Sequence, residues 1–306
     1  MKVLDKDYYF VLNDIERVHR DITQQTRQNL INDPKTLFVF INEKNLHIQQ
    51  QDQQYLFSLQ DVKTHISETE LSQAALLGFQ LEVPIFSVQT NAVFTKQFLC
   101  IDSPDVTNTI IPALSLSIAK FHQTVKFCSQ CGQKLVFLNS TQVFLYCNQC
   151  KKEVYPQIQP SVIMMITCGD KMLLCHRHST LYTHSCGFVE IIETLENAVL
   201  RELQEEIGFD PKYIKRIEQL QGSQPWPGTY MSLMIPYWIE VNEEFECQIT
   251  VECTDYKWVT EEQWRVAAER VDSNILTEEW TVRSKKTIAR SMMEYFVNHK
   301  NQMISK

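Results

Sequence analysis

Between positions 187 and 209 the chain reads GFVEIIETLENAVLRELQEEIGF. Glu202, Glu205 and Glu206 fall within five positions, among Leu, Val and Ile residues that suit a core. At about 100° per residue, Leu195, Val199, Leu200, Leu203 and Ile207 make one apolar stripe along a helix. Glu202 and Glu206 flank Leu195 at the border of that stripe, and Glu205 lies further round. Glu202 and Glu206 are also i, i+4 neighbours, a spacing at which like charges repel. Burial adds a desolvation penalty and raises carboxylate pKa values. Hard divalent cations such as Mg2+ or Mn2+, which favour carboxylate oxygen, would relieve both problems. A solvated acidic face is the alternative for an isolated Glu-Glu pair.

A second constellation is built from sulfur. Cys128 and Cys131 lie in FCSQCGQK, and Cys147 and Cys150 in YCNQCKK, with fifteen residues between the two C-x2-C pairs. Two such knuckles close a tetrahedral thiolate site with Zn–S bonds of about 2.3 Å. Four sulfur ligands leave no position for water, so the expected zinc is structural, one per chain. Lys126, Lys134, Lys151 and Lys152 lie nearby, too few to make nucleic-acid binding the first reading. The other cysteines (Cys100, Cys168, Cys175, Cys186, Cys247 and Cys253) are scattered among apolar residues. That distribution fits reduced core thiols and a reducing compartment.

The chain that must position these groups has 306 residues, enough for two domains and a small module. Its net charge of −8 gives no global attraction to nucleic acid or anionic membranes. The N-terminal MKVLDKDYYFVLND lacks a basic stretch followed by an apolar run, so no signal peptide is expected. No segment approaches the ~18 apolar residues of a membrane span. The expected location is cytoplasmic, with no membrane partner.

Before the cysteine pairs, LFVFI, YLFSL and QFLCI read as strands, and LSQAALLGFQL and ALSLSIAKFHQTV as helices. The Gln-rich 49–54 piece reads as a hairpin loop. After the pairs, SVIMMIT and MLLCHR read as a hairpin around Gly169-Asp170. A strand at GFVE, a helix from about Thr194, strands at LMIPYWIEV and ITVECTDYKWV, and a C-terminal helix from about Ser284 follow. His176, Arg177 and His178 are expected to be solvated loop residues, and Trp238 and Trp258 to pack in the core.

Gly187, Glu193, Arg201, Glu202, Glu205, Glu206 and Gly208 fit G-x5-E-x7-R-E-x2-E-E-x-G. Here the chain resembles the Nudix hydrolases, whose box binds Mg2+ or Mn2+ against a diphosphate. Within that family it is similar to the NADH pyrophosphatase branch. FHQTVKFCSQCG resembles the entry to that branch's zinc ribbon, and YPQIQP (155–160) its linker. GFVE, SQPWP (223–227), Glu252 six residues before Trp258, and TIA (287–289) also match.

The resemblance implies an α/β chain in three parts. These are an α/β N-terminal domain (1–120), a zinc ribbon (121–156) and a Nudix α/β/α sandwich (157–306). It implies hydrolysis of the diphosphate of NADH or NAD+ to AMP and nicotinamide mononucleotide, extends to NAD-capped RNA, and implies a homodimer. Glu202, Glu206 and Glu252 would bind Mg2+ or Mn2+, with Glu205 a ligand or the base. The backbone of Cys186 would lie close to the metal. Arg201 would orient the glutamates and Glu193 support the loop. Tyr155, Phe188, Gln224, Pro225, Trp226, Pro227, Ser232 and Ala289 would contact substrate.

Two departures qualify this picture. After SQPWP the chain reads GTYMSLM where the branch has FPxSLM. Another nucleoside diphosphate derivative, such as ADP-ribose or a dinucleoside polyphosphate, is the alternative substrate. Ile191-Ile192 stands where the family has a glycine, which permits positive φ, and a reshaped loop is expected there. A weakly active nucleotide- or RNA-binding module is the alternative outcome.

Overall fold

The strand GFVE and the helix after it are held by a sheet whose central strand faces helices on both sides. This is seen in a computed structural model, which describes residues 22–42, 48–50, 55–92, 96–98, 110–138, 141–226, 231–275, 277–285 and 287–304. The chain divides into two compact units, one ending at Ile158 and the other beginning at Gln159, with Met231 belonging to the first.

The first unit contains α1 (Gln24–Ile31), β1 (Leu37–Asn42), β2 (Ile48–Gln50), β3 (Phe57–Ser58), α2 (Leu59–His65) and α3 (Glu68–Ser72). It continues with β4 (Ala75–Gln80), β5 (Val83–Thr90), β6 (Lys96–Phe98) and α4 (Ile110–Thr124). The strands run β4-β5-β1-β2-β6, with β3 beside β1 and the β1–β5 pair parallel. Val39, Ile41 and Ile85 pack with Ile118 and Ala119 of α4, while Phe38, Phe40 and Phe86 pack with Ile31 of α1. The segment LSQAALLGFQL is not the expected helix: it closes α3 and becomes β4. Ala74 and Leu76 enter one core and Ala75 and Leu77 the other, so a strand buried on both faces shows no alternation. The helix expected at ALSLSIAKFHQTV is α4. Residues 51–54 of the Gln-rich piece and 99–101 of QFLCI lie outside the described residues. The unit ends in β7 (Leu145–Cys147) and β8 (Lys152–Val154), a small hairpin carrying the second cysteine pair.

The second unit contains β9 (Gln159–Cys168), β10 (Lys171–His178), β11 (Leu181–Thr183), β12 (Ser185–Phe188) and α5 (Leu195–Ile207). After these come β13 (Ile214–Gln219), β14 (Gln224–Trp226), β15 (Ser232–Val241), β16 (Tyr256–Thr260), α6 (Glu261–Asp272) and α7 (Ile288–Ile304). The order is β11-β10-β9-β15-β13; β12 also pairs with β9, β14 with β15 and β16 with β10. The strand expected over ITVECTDYKWV begins only at Tyr256, the strand at GFVE ends at Phe188, the C-terminal helix begins at Ile288, and residues 176–178 belong to β10.

Alternation along β9 explains the layers. Val162, Met164 and Ile166 meet Val199, Leu203 and Ile207 of α5. Ile163 and Met165 point the other way, to Trp264 and Ala267 of α6 and Met292 and Phe296 of α7. The result is an α/β/α sandwich. In this unit the sequence reading lacks β11, β13, β14 and helix α6, the last although Thr260 and Gln263 form a capping box at its start.

Trp238 lies in the middle of this core and donates its indole N–H to Thr167 Oγ1 at 2.8 Å. Thr167→Val keeps the shape and strands that donor. It is expected to lower stability by about 1–3 kcal/mol, read as a reduced midpoint in urea unfolding with an unchanged slope.

Candidate active site

Helix α5 starts at Thr194, whose side chain accepts from Asn197 N–H, and ends at Gly208 in the left-handed conformation (φ 65°). Its buried face comprises Ala198, Val199, Leu203, Ile207 and also Glu206. The carboxylates therefore do border the apolar stripe, and one lies inside it. Glu202 rests against β12: a Cβ on Gly187 would fall 1.8 Å from the Glu202 Cδ. Only glycine leaves that cradle open.

Arg201 organises the solvent side of the cluster. Its guanidinium reaches Glu193 (2.9 Å), Glu202 (2.9 Å) and Glu205 (3.0 Å) and donates to the Phe188 carbonyl at 2.7 Å. One side chain thus ties the loop after β12 to the helix. The hydrogen bond to Glu193, more than any other contact, raises the Arg201 pKa, so the cation is permanent. Burial lifts Glu202 above the ordinary carboxylate range, Arg201 opposes this, and Glu205 and Glu252 add repulsion.

Glu206 has a different partner, which sequence reasoning missed. Arg177, at the end of β10, donates to both Glu206 oxygens at 2.7 and 2.8 Å. The same guanidinium donates to the Glu252 carbonyl at 3.0 Å. Glu206 is 1% exposed and Arg177 17%. Arg177 is therefore not the solvated loop residue expected. Its signal was strand alternation, which turns it to the opposite face from His176 and His178. His176 itself is engaged through Nε2 with the Ser179 carbonyl at 2.8 Å. Burial raises Glu206 despite the pairing with Arg177, and Glu252 contributes further repulsion.

Glu252 sits on the exposed loop before β16. It lies close enough to act on both Glu202 and Glu206. Among the described residues, no three of these carboxylates bring their oxygens within 4.8 Å of one another. The donor set is still one a hard cation would choose. It is all carboxylate, a glycine cradle holds Glu202, and a positive group already stands on both oxygens of Glu206.

The other expected positions divide by place. Cys186 is on β12, paired with Ile163, and Phe188 ends that strand half-exposed. Gln224 is buried and accepts from Ile288 N–H at 2.8 Å, which brings β14 to the start of α7 and to Ala289. Trp226 pairs with Ser232 across β14 and β15, and Pro225 is exposed on the same hairpin. Pro227, with the altered 228–230 segment, lies outside the described residues. Tyr155 belongs to the first unit, where its ring packs on Phe144 with centroids 5.3 Å apart. Arg283 is half-buried; its carbonyl accepts from Arg290 Nη1 at 3.3 Å, while its guanidinium has no hydrogen-bond or ion-pair partner among the described residues. Burial and then Arg177 push it below its ordinary pKa, while Cys186 opposes them.

The four cysteines form a cage in the first unit, with all Sγ atoms within 4.8 Å of one another. Cys131 and Cys147 are 3.5 Å apart, and Cys128 and Cys150 3.9 Å. A tetrahedron with ~2.3 Å metal–sulfur bonds has edges of about 3.8 Å, so the cage fits a metal ion. Backbone N–H groups of Gln130 and Cys131 pull the Cys128 thiol down to about 6, favouring the thiolate a metal needs.

Residues 157–278 match the NUDIX domain family. Over that stretch the chain is similar to a Nudix domain. Three curated relatives share the name NAD-capped RNA hydrolase NudC. The protein from Pectobacterium carotovorum is 33% identical over 174 residues, covering 55% of this chain and 64% of that protein. Those from Pectobacterium atrosepticum and Escherichia coli O157:H7 are each 37% identical, over 122 and 116 residues, covering 39% and 37% of this chain. They are matched over 45% and 43% of their own lengths, so the chain spans about half to two thirds of these relatives.

Within the Nudix box, the turn Glu190–Glu193 closes with Glu193 N–H donating to the Glu190 carbonyl at 3.2 Å. Ile192 occupies its third position at φ 62°. The expected reshaping is therefore not seen: the backbone keeps the glycine conformation and a β-branched residue bears the strain. Ile192→Gly is expected to raise stability by about 1 kcal/mol, the left-handed penalty less the added chain entropy, measured by urea unfolding. In the cysteine cage, elemental analysis is expected to find one equivalent of tightly bound metal per chain in the parent protein and none in Cys147→Ser.

Proposed function

We propose that this protein is a metal-dependent hydrolase that cleaves the diphosphate of NADH or NAD+ to AMP and nicotinamide mononucleotide, and acts on NAD-capped RNA 5′ ends. The single observation that carries the reading is the carboxylate cluster on α5, opposed by a glycine cradle on β12 and by Arg177. The names of the NudC relatives support the substrate.

In this reading Glu202, Glu206 and Glu252 hold Mg2+ or Mn2+. Such ions neutralise phosphate charge and lower the pKa of a bound water. Glu205, 60% exposed, has room to accept a proton. Arg201 and Glu193 fix the loop that brings Phe188 to the site. Phe188 offers a half-exposed ring to a nicotinamide or adenine face. Gln224, Pro225, Trp226, Ser232 and Ala289 complete the substrate contacts of this unit, and the backbone of Cys186 lies at the metal. The unpaired Arg283 adds positive charge for an anionic substrate. Zinc fills the Cys128, Cys131, Cys147 and Cys150 cage as a structural ion. The working protein is a cytoplasmic homodimer with parts 1–120, 121–156 and 157–306. No helix among the described residues is long and apolar enough to cross a membrane.

The test is a product panel with Mg2+ or Mn2+ on NADH, NAD+, ADP-ribose, diadenosine polyphosphates and NAD-capped RNA. AMP and nicotinamide mononucleotide should appear from NADH or NAD+, and Glu206→Gln should reduce their rate at least ~100-fold. Turnover of ADP-ribose or the polyphosphates alone moves the substrate to those compounds. Binding without turnover at any metal concentration rejects the enzyme.

A further inference from the structure

The bidentate contact of Arg177 with Glu206 occupies a carboxylate that the proposed function needs for a cation. A carboxylate has about four lone-pair sites, and Nη2 of Arg177 takes one on each oxygen. Glu206 is 1% exposed, so no water competes for what remains. The guanidinium is also pinned from the other side, where Nη1 donates to the Glu252 carbonyl at 3.0 Å. It therefore stands between the two residues that would hold the ion. A guanidinium and a divalent cation on one carboxylate face repel strongly where water is scarce.

We propose that Arg177 is the resident counter-ion of this metal position. It holds Glu206 in place while the protein is metal-free, and it must release that carboxylate before a divalent cation can coordinate it. Arg177 is thus a positioning residue that sets the affinity and the order of metal entry. The inference rests on the reading of Glu206 as a cation ligand. It adds that the fold itself supplies the competitor.

The consequence has two opposite signs, which separates it from a merely supportive role. Removing the guanidinium leaves the buried carboxylate with the Ser185 hydroxyl but without a positive partner, so the metal-free protein loses stability. The same removal takes away the competitor, so the cation binds more tightly. A residue that only braces the site would weaken both.

The experiment uses zinc-loaded full-length protein freed of other divalent ions, with Mn2+ as the probe, at pH 8. Free Mn2+ is followed by electron paramagnetic resonance and stability by thermal unfolding. Arg177→Gln should bind Mn2+ about tenfold more tightly, a change of ~1.4 kcal/mol. It should melt below the parent when metal-free and close most of that gap in saturating Mn2+. Arg177→Lys, which keeps the charge but lacks the second nitrogen that holds the Glu252 carbonyl, should fall between the two and serves if the Gln variant does not fold. Unchanged or weaker Mn2+ binding in the Arg177 variants, with binding lost in Glu206→Gln, overturns the counter-ion role and leaves the metal site standing. Equal Mn2+ binding by parent and Glu206→Gln removes the metal site and this inference together.

Discussion

Carboxylates gathered where water is scarce repel one another, and the second unit of this chain is arranged around that repulsion. Two arginines divide the neutralisation. Arg201 serves the accessible side, touching Glu193, Glu202 and Glu205 at once. Arg177 serves the buried side alone, through Glu206. The difference matters because an ion pair near water is worth little, whereas a buried one cannot lose a partner cheaply. Arg201 comes from the helix that bears the carboxylates, so it can organise them by local spacing. Arg177 comes from β10, so the buried carboxylate is only satisfied once helix and sheet have docked.

The sheet makes that docking accurate. Along β9, alternate residues commit α5 to one face and α6 with α7 to the other, and a shift of one residue would exchange the two cores. The antiparallel register of β12 on β9 sets Gly187 opposite Val162 and fixes where Glu202 can lie. Gln224 performs a related task at the far edge, where its side chain accepts the N–H of Ile288. Apolar packing thus places the elements, and a few directional polar contacts decide what the site presents.

What was legible in the sequence follows the range of the interactions. The box and the cysteine pairs are local, so residue spacing carried them. The α5 stripe, the hairpin at Gly169 and the C-terminal helix are periodic or punctuated, and they stand where expected. Two kinds of feature were hidden. A strand buried on both faces, as at Ala74–Leu77, lacks the period that distinguishes it from helix. A pair such as Arg177 with Glu206 joins residues far apart in sequence: alternation in HRH sets Arg177 apart from the two histidines, and nothing local names its partner. Helix α6 was missed despite a local signal, since its capping box at Thr260 was there to be read.

The loop at Ile191-Ile192 shows how a sequence departure need not become a structural one. The turn is over-determined. Glu193 N–H bonds the Glu190 carbonyl, the Glu193 carboxylate accepts from Glu190 N–H at 2.9 Å, and Arg201 grips that carboxylate. These contacts hold the positive φ that glycine would adopt freely, which is how strained residues persist near functional sites. Both isoleucine side chains project into solvent, at 93% and 101% exposure, and neither enters the carboxylate cluster. The case for an inactive binding module rests on that dipeptide. With the backbone retained and the side chains directed outward, it has no steric basis there. Any change in activity must come through the stability of the turn or through the 227–230 segment.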